Sequence, residues 1–379
     1  MKILLIGEYS NLHNSLKKGL LNMGHEVILL GNGDGFKKYE VDFLIKSTIF
    51  ENKFLKIIAK IIDRIFRFSL NELEIYFKSK KIIKKLADFD IVQLINESPF
   101  NTSANLEIRL LKYIFKNNKK VFLLACGVDN KSIKYAYDKK FRYSVLTPYF
   151  ENNSLKKEYR HILKYLNSDY SKLSNYIKKN IQGIISSDLD YHIPYVNTKK
   201  YLGMIPNPIN IDALNDDGNS DSKKIIILHA INSKNKLKKG NKYFEKSLSI
   251  IEAKYSNKVE IIRTIDKAYS DHIKNVKNCK ILLDQVYAYD QGYNALEAMA
   301  MGKVVLTGAE KEWREYYNIV EDYVVINAMP NVSYLVEKLS WLIENPEKIK
   351  IISKNAREFI LEYHDYKTVT KKYLKAWEN

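Results

Sequence analysis

The residues best placed to do chemistry lie within Ile281–Gly308, which reads ILLDQVYAYDQGYNALEAMAMGKVVLTG. An apolar strand ends near Asp284, a loop carries Gly292, and a helix opens near Asn294. Gly302 stops that helix and a new strand follows. A glycine loop at a helix N-terminus leaves backbone N–H groups unpaired and points the positive end of the helix dipole outward, which makes an anion site. Glu297 falls in the first turn of this expected helix. A carboxylate beside a phosphate would be repelled. Glu297 is therefore expected to accept hydrogen bonds from sugar or ribose hydroxyls on the same ligand. Lys239, followed by Gly240 and preceded by a strand, reads either as a phosphate contact or as a solvated lysine of a basic loop.

These side chains need a scaffold, and the hydrophobic pattern supplies one. Lys2–Gly7 is a short apolar run, Ser15–Met23 reads as a helix, and Glu26–Leu30 as a second strand. Further strands are expected at Ile91–Ile95, Val121–Ala125 and Gly183–Ser186. Continuous apolar strands separated by helices imply a parallel sheet covered on both faces. The pattern breaks at Pro206-Asn207-Pro208, and the polar stretch Asp212–Lys224 reads as a linker or surface loop. The alternation then restarts. Strands are expected at Lys224–His229, Val259–Arg263, Ile281–Asp284 and Lys303–Thr307, with helices at Tyr243–Tyr255, Asp271–Asn278 and Asn294–Met301. The tail from Pro346 reads as helical throughout. At 379 residues the chain exceeds a single core. The fold expected is α/β, two doubly wound Rossmann-like domains facing a central cleft, with a C-terminal helix crossing back. The divisions are 1–203, 204–355 and 356–379, with the site between the two large units.

That frame gives other strand ends a possible role. The loop after Gly7 (Glu8-Tyr9-Ser10) faces the cleft or is a plain turn, and His13 nearby is an acceptor contact or an ordinary surface residue. Glu97-Ser98-Pro99 ends another strand, where Glu97 reaches an acceptor or the proline simply turns the chain. Asp129, after LACGV, is a general base toward an acceptor hydroxyl or the N-cap of a helix.

The block with Gly292, Leu296-Glu297-Ala298-Met299-Ala300, Gly302 and Val304-Val305 resembles the C-terminal signature of group 1 (family 4) glycosyltransferases. Ile205-Pro206-Asn207-Pro208-Ile209 resembles their turn into the second domain, and Lys239-Gly240 their basic loop. The resemblance implies a GT-B fold. It also implies a nucleotide-sugar donor held by Gly292, Tyr293, Asn294, Glu297 and Lys239, with Gly7 nearby, and no bound metal or other cofactor. Transfer in that family usually retains the anomeric configuration. The acceptor implied is a glycan or lipid-linked glycan of a bacterial capsule or lipopolysaccharide, served from the cytoplasmic side. Two positions depart from the pattern. The first glutamate of the family pair falls at Tyr289, with Asp290 beside it as the nearest substitute carboxylate. The family arginine has no match; Lys234 is nearest in spacing, and Lys236 or Lys238 are alternatives. Lysine offers a point charge without the guanidinium fork.

Composition bounds the partners. Lys and Arg number 62 against 44 Asp and Glu, a net charge of +18 that draws anions or reflects compositional drift alone. No recognition helix or basic–aromatic tract points to nucleic acid. The loop Gly31–Gly35 lacks the spacing of a dinucleotide-binding turn and reads as a flexible turn, which leaves an oxidoreductase or epimerase as the rival. A GT-B-like binding module without turnover is a further rival, raised by Tyr289. Cys126 and Cys279 are isolated and form no zinc motif. The N-terminal run is too short for a signal peptide, and no segment is apolar enough to span a membrane. Over 52–86, apolar residues from Phe54 to Phe66 alternate at helical spacing with Lys53, Lys56, Lys60, Arg64 and Arg67. This is a cationic amphipathic helix that either packs on the core or lies on an anionic membrane.

Overall fold

A computed structural model describes residues 1–34, 39–66, 69–214 and 224–378. Seven parallel strands form the first sheet: β1 (Lys2–Ile6), β2 (Glu26–Gly31), β3 (Phe43–Leu44), β4 (Ile91–Leu94), β5 (Lys120–Ala125), β6 (Gly183–Ser186) and β7 (Tyr201–Met204). Their order is β3-β2-β1-β4-β5-β6-β7. β1 shows why the sequence runs apolar without alternation. Ile3 and Leu5 enter the core on one face, Leu4 and Ile6 the core on the other. Helices cover both faces, so both sets of side chains are buried.

The second sheet holds β8 (Ile225–Ile231), β9 (Val259–Ile265), β10 (Ile281–Leu283), β11 (Val304–Thr307) and β12 (Ile326–Asn327), in the order β12-β11-β10-β8-β9, all parallel. In each sheet the chain leaves the first strand to one side and later returns to the other. The switch points lie between β1 and β4 and between β8 and β10. At such points the loops beyond the strand C-termini diverge and leave a crevice for a ligand.

The chain crosses back at its end. The helix Pro346–Phe359 runs into a π-helical turn, Ile360–His364, and then into the helix Tyr366–Glu378. Ile209, after the expected Pro-Asn-Pro turn, anchors the crossing. Its N–H donates to His364 O at 2.7 Å, and its carbonyl accepts from Tyr366 N at 3.1 Å. The last helix buries Val369, Tyr373 and Trp377 among Ile3, Leu5 and Leu29 of the first domain. Trp377 Nε1–H donates to Gln93 Oε1 at 2.9 Å within that core.

The expected α/β architecture is present. Three short strands, β3, β7 and β12, escaped the sequence reading because two of them have only two residues and β7 carries Gly203. The single amphipathic helix expected over 52–86 is two helices, Lys53–Phe66 and Leu70–Ile83, the second capped by Ser69, whose hydroxyl accepts from Glu72 N. Arg67 lies outside the described residues. Most of the expected linker, residues 215–223, lies outside them as well. Its first residue, Asp212, accepts from Tyr366 Oη at 2.7 Å and from Lys18.

Candidate functional site

Beyond the C-terminal ends of β8, β9 and β10 lies a cavity of about 390 Å³, closed on its far side by Ser10, Asp34 and Tyr39 of the first domain. It sits at the crevice that the strand order of the second sheet creates.

Lys239 enters it from a four-residue helix, Lys236–Lys239, that stops at Gly240. Gly240 has φ +69°, and a Cβ there would stand 2.3 Å from Val286 Cγ2, so glycine at 240 is required by conformation and by space. Lys239 Nζ donates to Asp284 Oδ1 at 2.6 Å. The buried Asp284 carboxylate also accepts from Asn294 Nδ2 at 2.9 Å and from Thr307 Oγ1 at 3.1 Å. It thereby fixes the ammonium group beside the helix Tyr293–Ala300. Gly292 caps that helix without a side-chain bond, and a Cβ on it would meet nothing closer than 3.8 Å. Cation and helix dipole together favour an anion here.

Glu297 is the fifth residue of the helix, one residue further in than the sequence placed it and so just past the first turn. It lines the cavity, and its Oε1 accepts from the Tyr269 hydroxyl at 2.8 Å. Burial, then the Glu297 charge, pushes the Tyr269 phenol well above its ordinary range, so it stays a neutral donor. His272 Nε2 lies 2.6 Å from Asn294 Oδ1. Lys239, Gly292, Tyr293, Asn294 and Glu297 are thus brought together at one wall.

The other sequence candidates lie elsewhere. Lys234 is exposed and is not part of the wall; Asn232 and Asn235 stand there instead. Gly7 is buried, its N–H given to Leu30 O and its carbonyl taken by His13, and a Cβ on it would lie 2.1 Å from Ile95 Cγ2. Gly7 is therefore a packing residue of the turn. His13 is fully buried, donates from Nδ1 to Gly7 O at 2.7 Å, and has its pKa lowered by burial to about 4. It splints the turn as a neutral ring. Asp129 caps the helix Asn130–Tyr137 through Ser132 N at 2.7 Å. Glu97 is buried beside it and accepts from Asn130 N and Ser174 Oγ. Burial and the neighbouring Asp129 charge push the Glu97 carboxyl up.

Asp290 is buried at the domain contact, where carboxylates and backbone N–H groups interlock. Asp290 accepts from Leu189 N at 3.0 Å, and Asp190 accepts from Tyr289 N at 3.1 Å. Tyr289 turns away from the cavity. Its hydroxyl accepts from Arg142 N at 2.9 Å, and the Arg142 guanidinium lies over its ring while pairing with Glu310 and Glu312. The position where the resemblance expects a glutamate is therefore an aromatic clasp between domains.

Sequence reasoning missed Asp34, Tyr39, Thr264, Asp266, Tyr269 and His272 on the wall. The loop read as a flexible turn delivers Asp34, whose Oδ2 accepts from Ser10 N at 2.9 Å. Gly35 and Phe36-Lys37-Lys38 lie outside the described residues. For Asp34, Thr264, Asp266 and Tyr269 the available signal was position, since each stands within four places of the C-terminal end of β2 or β9.

Two buried acids set a pH dependence. Burial raises Glu107 to about 8 and Glu8 to about 7, against the hydrogen bonds each accepts. The unfolded chain holds these protons only below about pH 4.5. Between that pH and about 8 the folded state binds more protons, so stability falls as pH rises. The melting temperature is expected to be higher at pH 6 than at pH 8.5, and Glu107→Gln should flatten the slope. Equal slopes for wild type and variant would refute this assignment.

Residues 232–375 match the family model described as Glycosyl transferase-like. No curated protein matches the sequence. The chain is similar across its whole length to a glycosyltransferase from Rickettsia africae, with 16% identity, 97% of that chain covered and a TM-score of 0.56. It is similar to Anabaena HepE in complex with UDP and glucose at 11% identity, with 100% of this chain and 99% of that one covered and a TM-score of 0.63. It is also similar to a sucrose-phosphate synthase from Thermosynechococcus elongatus at 10% identity, with 100% and 98% covered and a TM-score of 0.62. At these identities the likeness shows the fold, which is GT-B. The match over 232–375 adds support for a glycosyltransferase on the half of the chain that builds the cavity wall.

Proposed function

We propose that the protein is a glycosyltransferase that moves a sugar from a nucleoside-diphosphate donor to a glycan or lipid-linked acceptor of a surface polysaccharide, with retention and without a metal ion. One observation carries the reading. Lys239, fixed by Asp284, stands beside an open helix N-terminus, and Glu297 follows on the same face of the cleft. A diphosphate fits the first pair and ribose hydroxyls fit the carboxylate. As the glycosidic bond breaks, negative charge grows on the leaving diphosphate, where a preorganised cation and helix dipole stabilise it. Asp129 caps a helix inside the first domain, so the inverting route that would use it as base loses its support. The structural relatives solved with UDP are consistent with a uridine donor.

The test is thermal stabilisation by UDP, GDP, dTDP, CMP and NAD. A ligand at 100 times its dissociation constant adds about 2.7 kcal/mol. The reading expects a shift with one nucleoside diphosphate. A shift with NAD alone would favour an oxidoreductase or epimerase, and donor binding without turnover a binding module, which the clasped Tyr289 would suit.

A lipid-linked acceptor would bring the protein to the inner face of the plasma membrane from the cytoplasm. No helix among the described residues is long and apolar enough to cross a membrane. The helix Lys53–Phe66 leaves Ile57 and Ile61 exposed by 58% and 52%, with the exposed Lys56 alongside. An anionic bilayer offers apolar contact and negative charge together. Ile57→Glu with Ile61→Glu is expected to cut partitioning onto phosphatidylglycerol vesicles by more than about tenfold, since each buried isoleucine is worth about 1.5–3 kcal/mol. Unchanged partitioning would refute the membrane contact.

A further inference from the structure

The wall of the cavity changes character along its length. At one end Lys239 and the helix start at Tyr293 offer positive charge. Asn294 bridges Asp284 on that side and His272 on the other. Glu297 follows Asn294 by three residues, so it lies on the same helix face about 4.5 Å further along. Its carboxylate takes the Tyr269 hydroxyl. The Tyr269 ring in turn meets Tyr39 edge to face, with centroids 6.2 Å apart and planes at 70°. The row runs cation, hydroxyl acceptor, aromatic pair, which is the order of diphosphate, ribose and base in a nucleotide.

Of these groups only Tyr39 comes from the first domain. It is half-buried on the cavity wall, which Thr264 and Asp266 at the end of β9 also line. The two phenols stay neutral, because burial and the nearby Glu297 charge push both up. Their ring faces are therefore uncharged surfaces that suit a flat heterocycle, and stacking of this kind accepts any base.

We propose that Tyr39 is a donor-positioning residue: the base of a nucleoside diphosphate held by the second domain stacks on its ring. This rests on the donor reading above. Donor affinity then depends on both domains, and binding favours the arrangement in which they face each other closely.

The test is calorimetric titration of the full chain with UDP, GDP and dTDP, and with inorganic pyrophosphate as a ligand that has no base. Tyr39→Ala and Tyr39→Leu are each expected to weaken the tightest nucleotide about tenfold, the leucine variant keeping apolar bulk without the ring. Tyr39→Phe is expected to stay within about threefold of wild type, and pyrophosphate affinity to be the same in all four proteins. Equal nucleotide affinity in wild type and both ring-less variants overturns this proposal alone. So does an equal loss for pyrophosphate, which would mark a structural role. If folded wild type takes up none of the three nucleotides, the donor reading itself falls and this proposal with it.

Discussion

Glu297→Ala is expected to lose about a hundredfold in kcat/KM for the proposed nucleotide-sugar donor and to keep its fold. The carboxylate is the acceptor on the cavity face of the helix Tyr293–Ala300, one turn beyond the anion site. Two ribose hydroxyls donating to an ionised group are together worth about 3 kcal/mol, and about 1.4 kcal/mol corresponds to each tenfold in rate. The fold should survive because alanine is the best helix former and the Tyr269 hydroxyl that Glu297 takes is half-buried and can turn to water. Glu297→Gln, which keeps one acceptor, is expected to fall between the two. Melting curves and steady-state kinetics on the same preparations check both halves. Unchanged kcat/KM would remove Glu297 from the site.

The largest stability effect belongs to a residue far from the cavity. Trp377→Ala is expected to cost about 5 kcal/mol. Removing a buried tryptophan costs about 3–5 kcal/mol. The Gln93 acceptor, fully buried on β4, loses its donor, which adds about 1–3 kcal/mol. Trp377→Phe keeps one aromatic ring but loses the hydrogen bond and the volume of the fused ring, so it should cost less than the alanine variant, about 2–3 kcal/mol. Because this helix ties the end of the second domain to the first sheet, the first domain's transition should drop the most. Denaturant unfolding of the two variants reads the difference; equal, small losses would mean that the crossing helix contributes little.

Much of the architecture was legible in the sequence. Strands such as β1 and β10 are apolar on both faces because helices cover them, and that continuous run is visible without any contact being known. The cavity wall that Lys239, Gly292 and Glu297 share was legible for a similar reason. Gly240, Gly292 and Glu297 belong to single strand–loop–helix units whose local geometry dictates where the side chains stand. Tyr39, Tyr269 and Asp34 were not legible, since only the folding of separate loops onto one cleft gives them a common neighbour. The misplaced candidates share a cause. His13, Glu97, Asp129 and Asp290 follow strand ends, where catalytic groups are common, yet each is engaged by backbone of its own loop, of a neighbouring loop or of the facing domain. A polar residue at a strand end can serve the turn or the ligand, and only the partner settles which.

A crystal structure with UDP tests the central claim most directly. The diphosphate is expected between Lys239 and the N-terminus of the helix Tyr293–Ala300, with the ribose hydroxyls on Glu297. UDP bound away from Lys239 and Glu297, or absent from crystals soaked well above the solution dissociation constant, would contradict it.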